Sequence, residues 1–296
     1  MNDKVRPDKT KVAQCFGQAA GDYDDVAVLQ QQTGDELIER LDLVKLQPER
    51  IIDLGTGTGR QLIKLQQRYP KATVFGVDIA PAMLSHARQR YQRDQGMKRW
   101  WPYRAEPYYI TGDAEQLPFA DRSVDLVFAN LAFQWCDPRS TFNEIARVLS
   151  AEGLVLFTTL GPDTLYELRA AWASVDDYPH VNVFYDMHDV AEAMMAARLV
   201  DPVLDRDQYV LTYGQAIDLM RDLKVLGASN HNSGRRTGLT GKKALQQVAD
   251  YYEQFRTEAG LPATYEVIFG HAWGKSLQQQ TRHADASVSI PLSQIK

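Results

Sequence analysis

The run Ile51-Ile52-Asp53-Leu54-Gly55-Thr56-Gly57-Thr58-Gly59 sets three glycines at alternate positions straight after an apolar stretch, and Asp78 closes the next apolar stretch. Residues 51–54 predict a buried strand. The glycines predict a sharp turn whose backbone can approach a ligand closely. Gln61 to Tyr69 predicts a helix with Leu62 and Leu65 on one face, stopped by Pro70. Thr73 to Val77 predicts a second strand, and an acid at its end can accept both hydroxyls of a ribose. This is the chemistry of holding a nucleoside. The G-x-G-x-x-G spacing that approaches a dinucleotide pyrophosphate is not present; the spacing is G-x-G-x-G, with Asp53 two residues before Gly55. A carboxylate there would repel a pyrophosphate and suits a ligand carrying an ammonium and a sulfonium. A purely structural turn, or a different nucleotide site, is the competing reading of the glycines alone.

The pattern resembles motif I of class I S-adenosylmethionine methyltransferases. In that fold an acid after the third strand faces the adenine amino group, which is the place of Asp113 in Gly112-Asp113-Ala114. Asp113 also suits a helix N-cap, and the two roles are compatible. Asn130 and Gln134 follow the fourth strand, where α/β sheets bind ligands, and are expected to face one. Phe133 and Trp135 fit core and ligand wall equally. His86, His188 and His231 have no partner spacing for a metal, so no metal site is expected. No G-x-S-x-G elbow or nucleophile–base set appears. Arg221 and Lys224 are three residues apart on one helix, which suits either a solvated charged face or an anion site.

The elements that must position these residues alternate: strand 51–54, helix 60–69, strand 73–77, helix 81–93. That rhythm implies an α/β fold, a mostly parallel Rossmann-like sheet with helices on both faces. Before it, Lys11 to Ala20 and Val26 to Leu46 read as helices. Asp94 to Pro107, with Trp100-Trp101-Pro102-Tyr103-Arg104, reads as a loop insertion. Tyr108 to Thr111, Val124 to Ala129, Leu154 to Leu160, Val203 to Leu211 and the stretch ending at Trp273 read as further strands. Phe142 to Leu149, Leu165 to Trp172, Met187 to Ala197, Ala216 to Leu226 and Lys242 to Phe255 read as helices. Four regions follow: a helical lid over 1–47, a cofactor core over 48–160, a substrate region completing the sheet over 161–274, and a disordered tail over 275–296.

With 296 residues, 44% apolar and 24% charged, the composition is that of an ordinary globular chain. No apolar run approaches a membrane span, and the polar N-terminus lacks a signal-peptide core. Two cysteines, Cys15 and Cys136, make no disulfide framework, which points to a cytoplasmic protein. The net charge of −5 argues against a nucleic-acid binder.

Several ordered segments give a more specific resemblance. Phe16-Gly17-Gln18-Ala19-Ala20 with Tyr23 and Leu29-Gln30 is similar to the N-terminal lid of the malonyl-carrier-protein O-methyltransferases of early biotin synthesis. Asn130-Leu131-Ala132-Phe133-Gln134-Trp135-Cys136 resembles that family's motif after the fourth strand. Thr158 to Leu165, His180 to Phe184, Leu219 to Ala228 and Thr264 to Val267 resemble its substrate region. The stretch from Trp100 to Pro107 departs from the pattern. The resemblance implies methyl transfer from S-adenosylmethionine to the free carboxylate of malonyl-[acyl-carrier protein] or malonyl-CoA. It implies cofactor contacts from Phe16, Gln30, Asp53, Gly55, Gly57, Gly59, Asp78, Ile79, Met83, Asp113, Ala114, Asn130, Leu131 and Gln134. It implies substrate positioning by Tyr23 and Arg221 without a general base, and substrate or carrier contacts from His180, Asn182, Lys224, Arg235 and Arg236. Lys98, Arg99, Arg104, Lys242 and Lys243 join the last two as a candidate basic patch for an acidic carrier. A methyltransferase acting on a small molecule such as a quinone, a related assembly factor, and a non-enzymatic binding module are the alternatives.

Overall fold

The alternating apolar runs fold as alternating strands and helices. The computed structural model of the chain describes residues 8–97, 106–228 and 241–275, with short segments at 281–282 and 288–289. Three helices come first: α1 (Lys9–Ala19), α2 (Tyr23–Val26) and α3 (Val28–Arg40). Then follow β1 (Arg50–Leu54), α4 (Arg60–Arg68), β2 (Thr73–Asp78), α5 (Pro81–Met97), β3 (Tyr108–Thr111), β4 (Val124–Ala129), α6 (Pro138–Val148) and β5 (Leu149–Leu160). The last part adds α7 (Tyr166–Ala173), α8 (Met187–Ala196), β6 (Val200–Tyr213), α9 (Ala216–Val225), α10 (Lys242–Tyr252) and β7 (Leu261–Trp273). A separate two-stranded pair joins β8 (Thr281–Arg282) to β9 (Val288–Ser289).

Seven strands form one sheet in the order β3-β2-β1-β4-β5-β7-β6. The first five are parallel, and β7 runs antiparallel to both β5 and β6. Neighbouring residues in the central strands feed opposite cores. Ile51, Leu126 and Leu154 pack under α3, α4 and α7, whereas Ile52, Val127 and Val155 pack under α6 and α8. Burial on both faces is why these strands are predominantly apolar and do not simply alternate apolar with polar residues. The connections turn opposite ways after β1 and after β4, and a crevice opens at the carboxyl ends of those two strands.

Several boundaries differ from expectation. The helix expected over Val26 to Leu46 is interrupted at Ala27 and ends at Arg40, passing into a 3-10 turn at Leu41–Leu43. The helix expected from Phe142 starts at Pro138, where the Asp137 carboxylate accepts from the Ser140 N–H as an N-cap. α5 runs on to Met97, so residues 94–97 are helical and not loop. The aromatic insertion 98–105 and most of the tail lie outside the described residues. Asp186 caps α8 by accepting from the N–H groups of His188 and Asp189.

Candidate active site

The glycine turn is built from backbone geometry only glycine adopts easily. Gly55, Gly57 and Gly59 have φ of 72°, 53° and 79°. At Gly59 a Cβ would meet Ala87 Cα at 2.9 Å, so this glycine lets α4 start against α5. At Gly57 a Cβ would meet nothing within 4 Å, so its backbone faces open space.

That space is a cavity of about 300 Å³ at the carboxyl ends of the central strands. Gly55, Gly57, Asp78, Ile79 and Met83 form one wall; Asp113, Ala114, Asn130, Leu131 and Gln134 form the next. Phe16, Tyr23 and Gln30 come over from the N-terminal helices, and His180, Asn182 and Lys224 close the far side. These expected residues are brought together from seven separate parts of the chain.

Three expected residues do not reach the wall. Asp53 is buried behind the turn, where its carboxylate accepts from the Thr56 hydroxyl at 2.5 Å. Gly59 lies beneath the turn for the packing reason above. Arg221 is exposed and pairs with Asp218 at 2.8 Å. The cavity stripe of α9 is Met220, Leu223 and Lys224. Arg221 sits one residue, about 100° of rotation, off Met220, so sharing a flank with Lys224 does not bring it inside. Arg235 and Arg236, like Lys98, Arg99 and Arg104, lie outside the described residues.

Asp78 is the most constrained carboxylate on the wall. Its Oδ2 accepts from the Gly57 N–H at 2.9 Å and its Oδ1 from the Ala80 N–H at 2.8 Å. Each oxygen keeps a further lone pair. Burial pushes its carboxyl up to about 6, against the pull of the Ala80, Gly57 and Ile79 N–H groups. Burial likewise pushes Asp53 up to about 7, opposed by the Thr56 hydroxyl and reinforced by the Asp78 charge. Burial, with Asp78 and Asp24 adding repulsion, raises the Tyr23 phenol above the ordinary tyrosine range, so it stays a hydroxyl donor. Burial also pushes the Cys136 thiol, on the same wall, up to about 12, so it is no nucleophile.

The remaining side chains are arranged by specific contacts. The Asn130 amide is committed: its Nδ2 donates to the Gln30 carbonyl at 2.8 Å, and its Oδ1 accepts from the Thr33 and Thr158 hydroxyls at 2.9 and 2.8 Å. It therefore braces the wall and ties α3 to β4. Gln134 donates to the Leu131 carbonyl at 2.6 Å, and Leu131 is held at φ 48°. The Oε1 atoms of Gln30 and Gln134 are buried and accept no hydrogen bond. Two such orphaned acceptors in one cavity fit a ligand with N–H donors, as an amino acid ammonium has. His180 stacks flat on Trp172 at 3.8 Å and holds Asp176 at 2.8 Å. Lys9, Trp172, Tyr213 and Tyr265 also line the cavity and were not singled out from the sequence. The two tyrosines sit on antiparallel strands, where a strict two-residue alternation, Tyr209-Leu211-Tyr213 against Ala263-Tyr265, marks one face. Lys9 carries no comparable signal. Among the described residues no cluster of His, Cys, Asp or Glu is placed to hold a metal ion.

The methyltransferase domain family matches residues 52–157, from the glycine turn to the fifth strand. The crystal structure of the YcgJ protein from Bacillus subtilis superposes with a TM-score of 0.56 at 17% identity, covering 83% of this chain and 99% of that one. A Haemonchus contortus phosphoethanolamine N-methyltransferase with S-adenosylhomocysteine bound gives 0.51 at 18% identity, covering 83% of this chain and 53% of that one. Fold and domain together define a class I S-adenosylmethionine-dependent methyltransferase. Closer relatives refine this. The malonyl-[acyl-carrier protein] O-methyltransferase of Methylovorus is 47% identical, covering 90% of this chain and 89% of the relative. That of Laribacter hongkongensis is 45% identical with 92% of both covered, and that of Nitrosospira multiformis 44% with 90% and 89%. The chain belongs to the malonyl-[acyl-carrier protein] O-methyltransferase family.

Proposed function

We propose that the chain methylates the free carboxylate of malonyl-[acyl-carrier protein] or malonyl-CoA, giving the malonyl methyl ester and S-adenosylhomocysteine, an early step of biotin synthesis in the cytoplasm. The observation that carries this is a single cavity joining the glycine turn and Asp78 on one wall to Lys224 on another. Lys224 lines this cavity, and no ion pair between described residues holds it. No described helix is long and apolar enough to cross a membrane.

The residues divide the work. Asp78 accepts from the ribose hydroxyls with its spare lone pairs, and Gly57 lets the ligand approach the protein backbone closely. Gln30 and Gln134 accept from the ammonium. Asp113 faces the adenine. The cofactor supplies an electrophilic methyl on a sulfonium. A malonyl carboxylate is already ionised at neutral pH, so no base is needed. Tyr23, protonated, donates to that carboxylate, and Lys224 neutralises it. Phe16, Met83 and Trp135 exclude water, and catalysis is alignment of two reactants. Lys224 takes the part that the resemblance implied for Arg221.

Release of S-adenosylhomocysteine should be followed with malonyl-carrier protein, malonyl-CoA and a free quinol as competing acceptors. Release with the malonyl thioesters alone supports this reading. Release with the quinol and not the thioesters would assign the cavity to a small-molecule methyltransferase.

A further inference from the structure

Lys9 opens α1, and its ammonium crosses 104 residues of sequence to reach the acid on the cofactor wall. It lies 2.5 and 2.7 Å from the two carboxylate oxygens of Asp113 and 2.8 Å from Glu115 Oε1. The three side chains are 26%, 36% and 23% exposed. This is shielded enough for charge-assisted bonds to count, and open enough for water and salt to compete. Two turns further along the helix, Phe16 packs edge-on against Trp135 at 5.4 Å. Beside it, the α1 backbone presses on the end of α9: a Cβ at Gly227 would stand 3.1 Å from the Cys15 carbonyl carbon. α1 is thus fastened at one end to the loop after β3 and at the other to the helix that carries Lys224. Lys9 and Phe16 both line the cavity, so α1 covers it.

We propose that Lys9 is a latch, a positioning residue whose ion pairs with Asp113 and Glu115 hold α1 closed over the cofactor and set the rate at which S-adenosylhomocysteine leaves. This rests on the reading of the glycine turn and Asp113 as the cofactor wall. Lifting α1 requires one ammonium to leave two acids. Asp113 accepts from the Glu115 N–H at 2.9 Å, and Glu115 from the Asp137 N–H at 2.7 Å, so both acids stay in place when the latch opens.

Stopped-flow displacement of S-adenosylhomocysteine from the full chain tests this. Lys9→Met keeps the aliphatic stem and removes the charge. Dissociation should become about tenfold faster, the scale of one charge-assisted contact. The salt dependence expected of the wild type should disappear, and Lys9→Arg should restore wild-type dissociation and salt dependence. An unchanged rate and salt dependence in folded Lys9→Met would overturn the latch. If Lys9→Met does not fold, Glu115→Gln, which keeps an acceptor for the Asp137 N–H, should show an intermediate acceleration, and an unchanged rate there would overturn it equally. Failure of the wild type to bind S-adenosylhomocysteine would instead reject the cofactor wall itself.

Discussion

Asp53 and Asp78 are buried acids whose protons are held well above the ordinary carboxylate range, to about 7 and about 6. The folded, ligand-free protein therefore binds more protons than the unfolded chain between about pH 4 and about pH 7. Its stability falls as pH rises through that window, because ionised carboxylates are left in a dry site. A ligand bearing an ammonium and a sulfonium reverses this by favouring the ionised forms. The rise in melting temperature on adding S-adenosylmethionine should therefore grow from about pH 5 to about pH 8. Calorimetry in two buffers near pH 6 should detect proton release on binding, and a pH-independent affinity would contradict this assignment. Asp78→Ala should weaken the cofactor by about 1–3 kcal/mol, the scale for a charged hydrogen-bond partner. The two cations of α9 separate in the same way. Lys224→Met should raise the Michaelis constant for malonyl thioesters, whereas exposed Arg221→Ala should change stability and turnover by no more than about 0.5 kcal/mol. Equal losses from the two would return the carboxylate to Arg221.

At the scale of elements, the glycine turn does two jobs that substitution can separate. Alanine at Gly57 or Gly59 meets the same left-handed penalty of about 1–2 kcal/mol. Gly59→Ala also drives a Cβ into the α5 backbone at Ala87, so urea denaturation should show the larger loss of stability there. Gly57→Ala, with no protein atom in the way, should fold and lose cofactor affinity instead. Similar stability losses at both positions would contradict this division. The turn, Asp78 and the strand–helix rhythm were legible because they are local: strand period, glycine spacing and an acid at a strand end fall within 28 residues of sequence. The orientation of α9 was not. Sequence gives its apolar stripe, but whether Arg221 or Lys224 looks into the cavity depends on where Met220 and Leu223 dock. The start of α6 was legible and missed, since Asp137-Pro138 is an N-cap followed by proline at the first helical position. Lys9 was illegible, because its partners are a hundred residues away and meet it only through the lid.

The whole molecule carries a net charge of −5, and an acyl-carrier protein is acidic too. Docking then needs local positive charge to offset the repulsion. Lys242 and Lys243 stand exposed at the start of α10, and Arg235 and Arg236 precede them in sequence. Charge reversal of Arg235 and Arg236 to Glu should raise the Michaelis constant for malonyl-carrier protein and spare malonyl-CoA. Added salt should weaken the wild type alike, since exposed charges are screened beyond about 8 Å at physiological ionic strength. Equal effects on both substrates would show that these arginines do not read the protein partner. In the proposed reaction one cavity places a methyl donor against a malonyl carboxylate and needs no base. Intact-mass spectrometry of malonyl-carrier protein after incubation with the enzyme and S-adenosylmethionine tests it most directly. The predicted result is one added methyl group on the acyl chain, greatly reduced with the Asp78→Ala variant. An acyl mass that stays unchanged, with a folded enzyme that binds the cofactor, would rule out the proposed reaction.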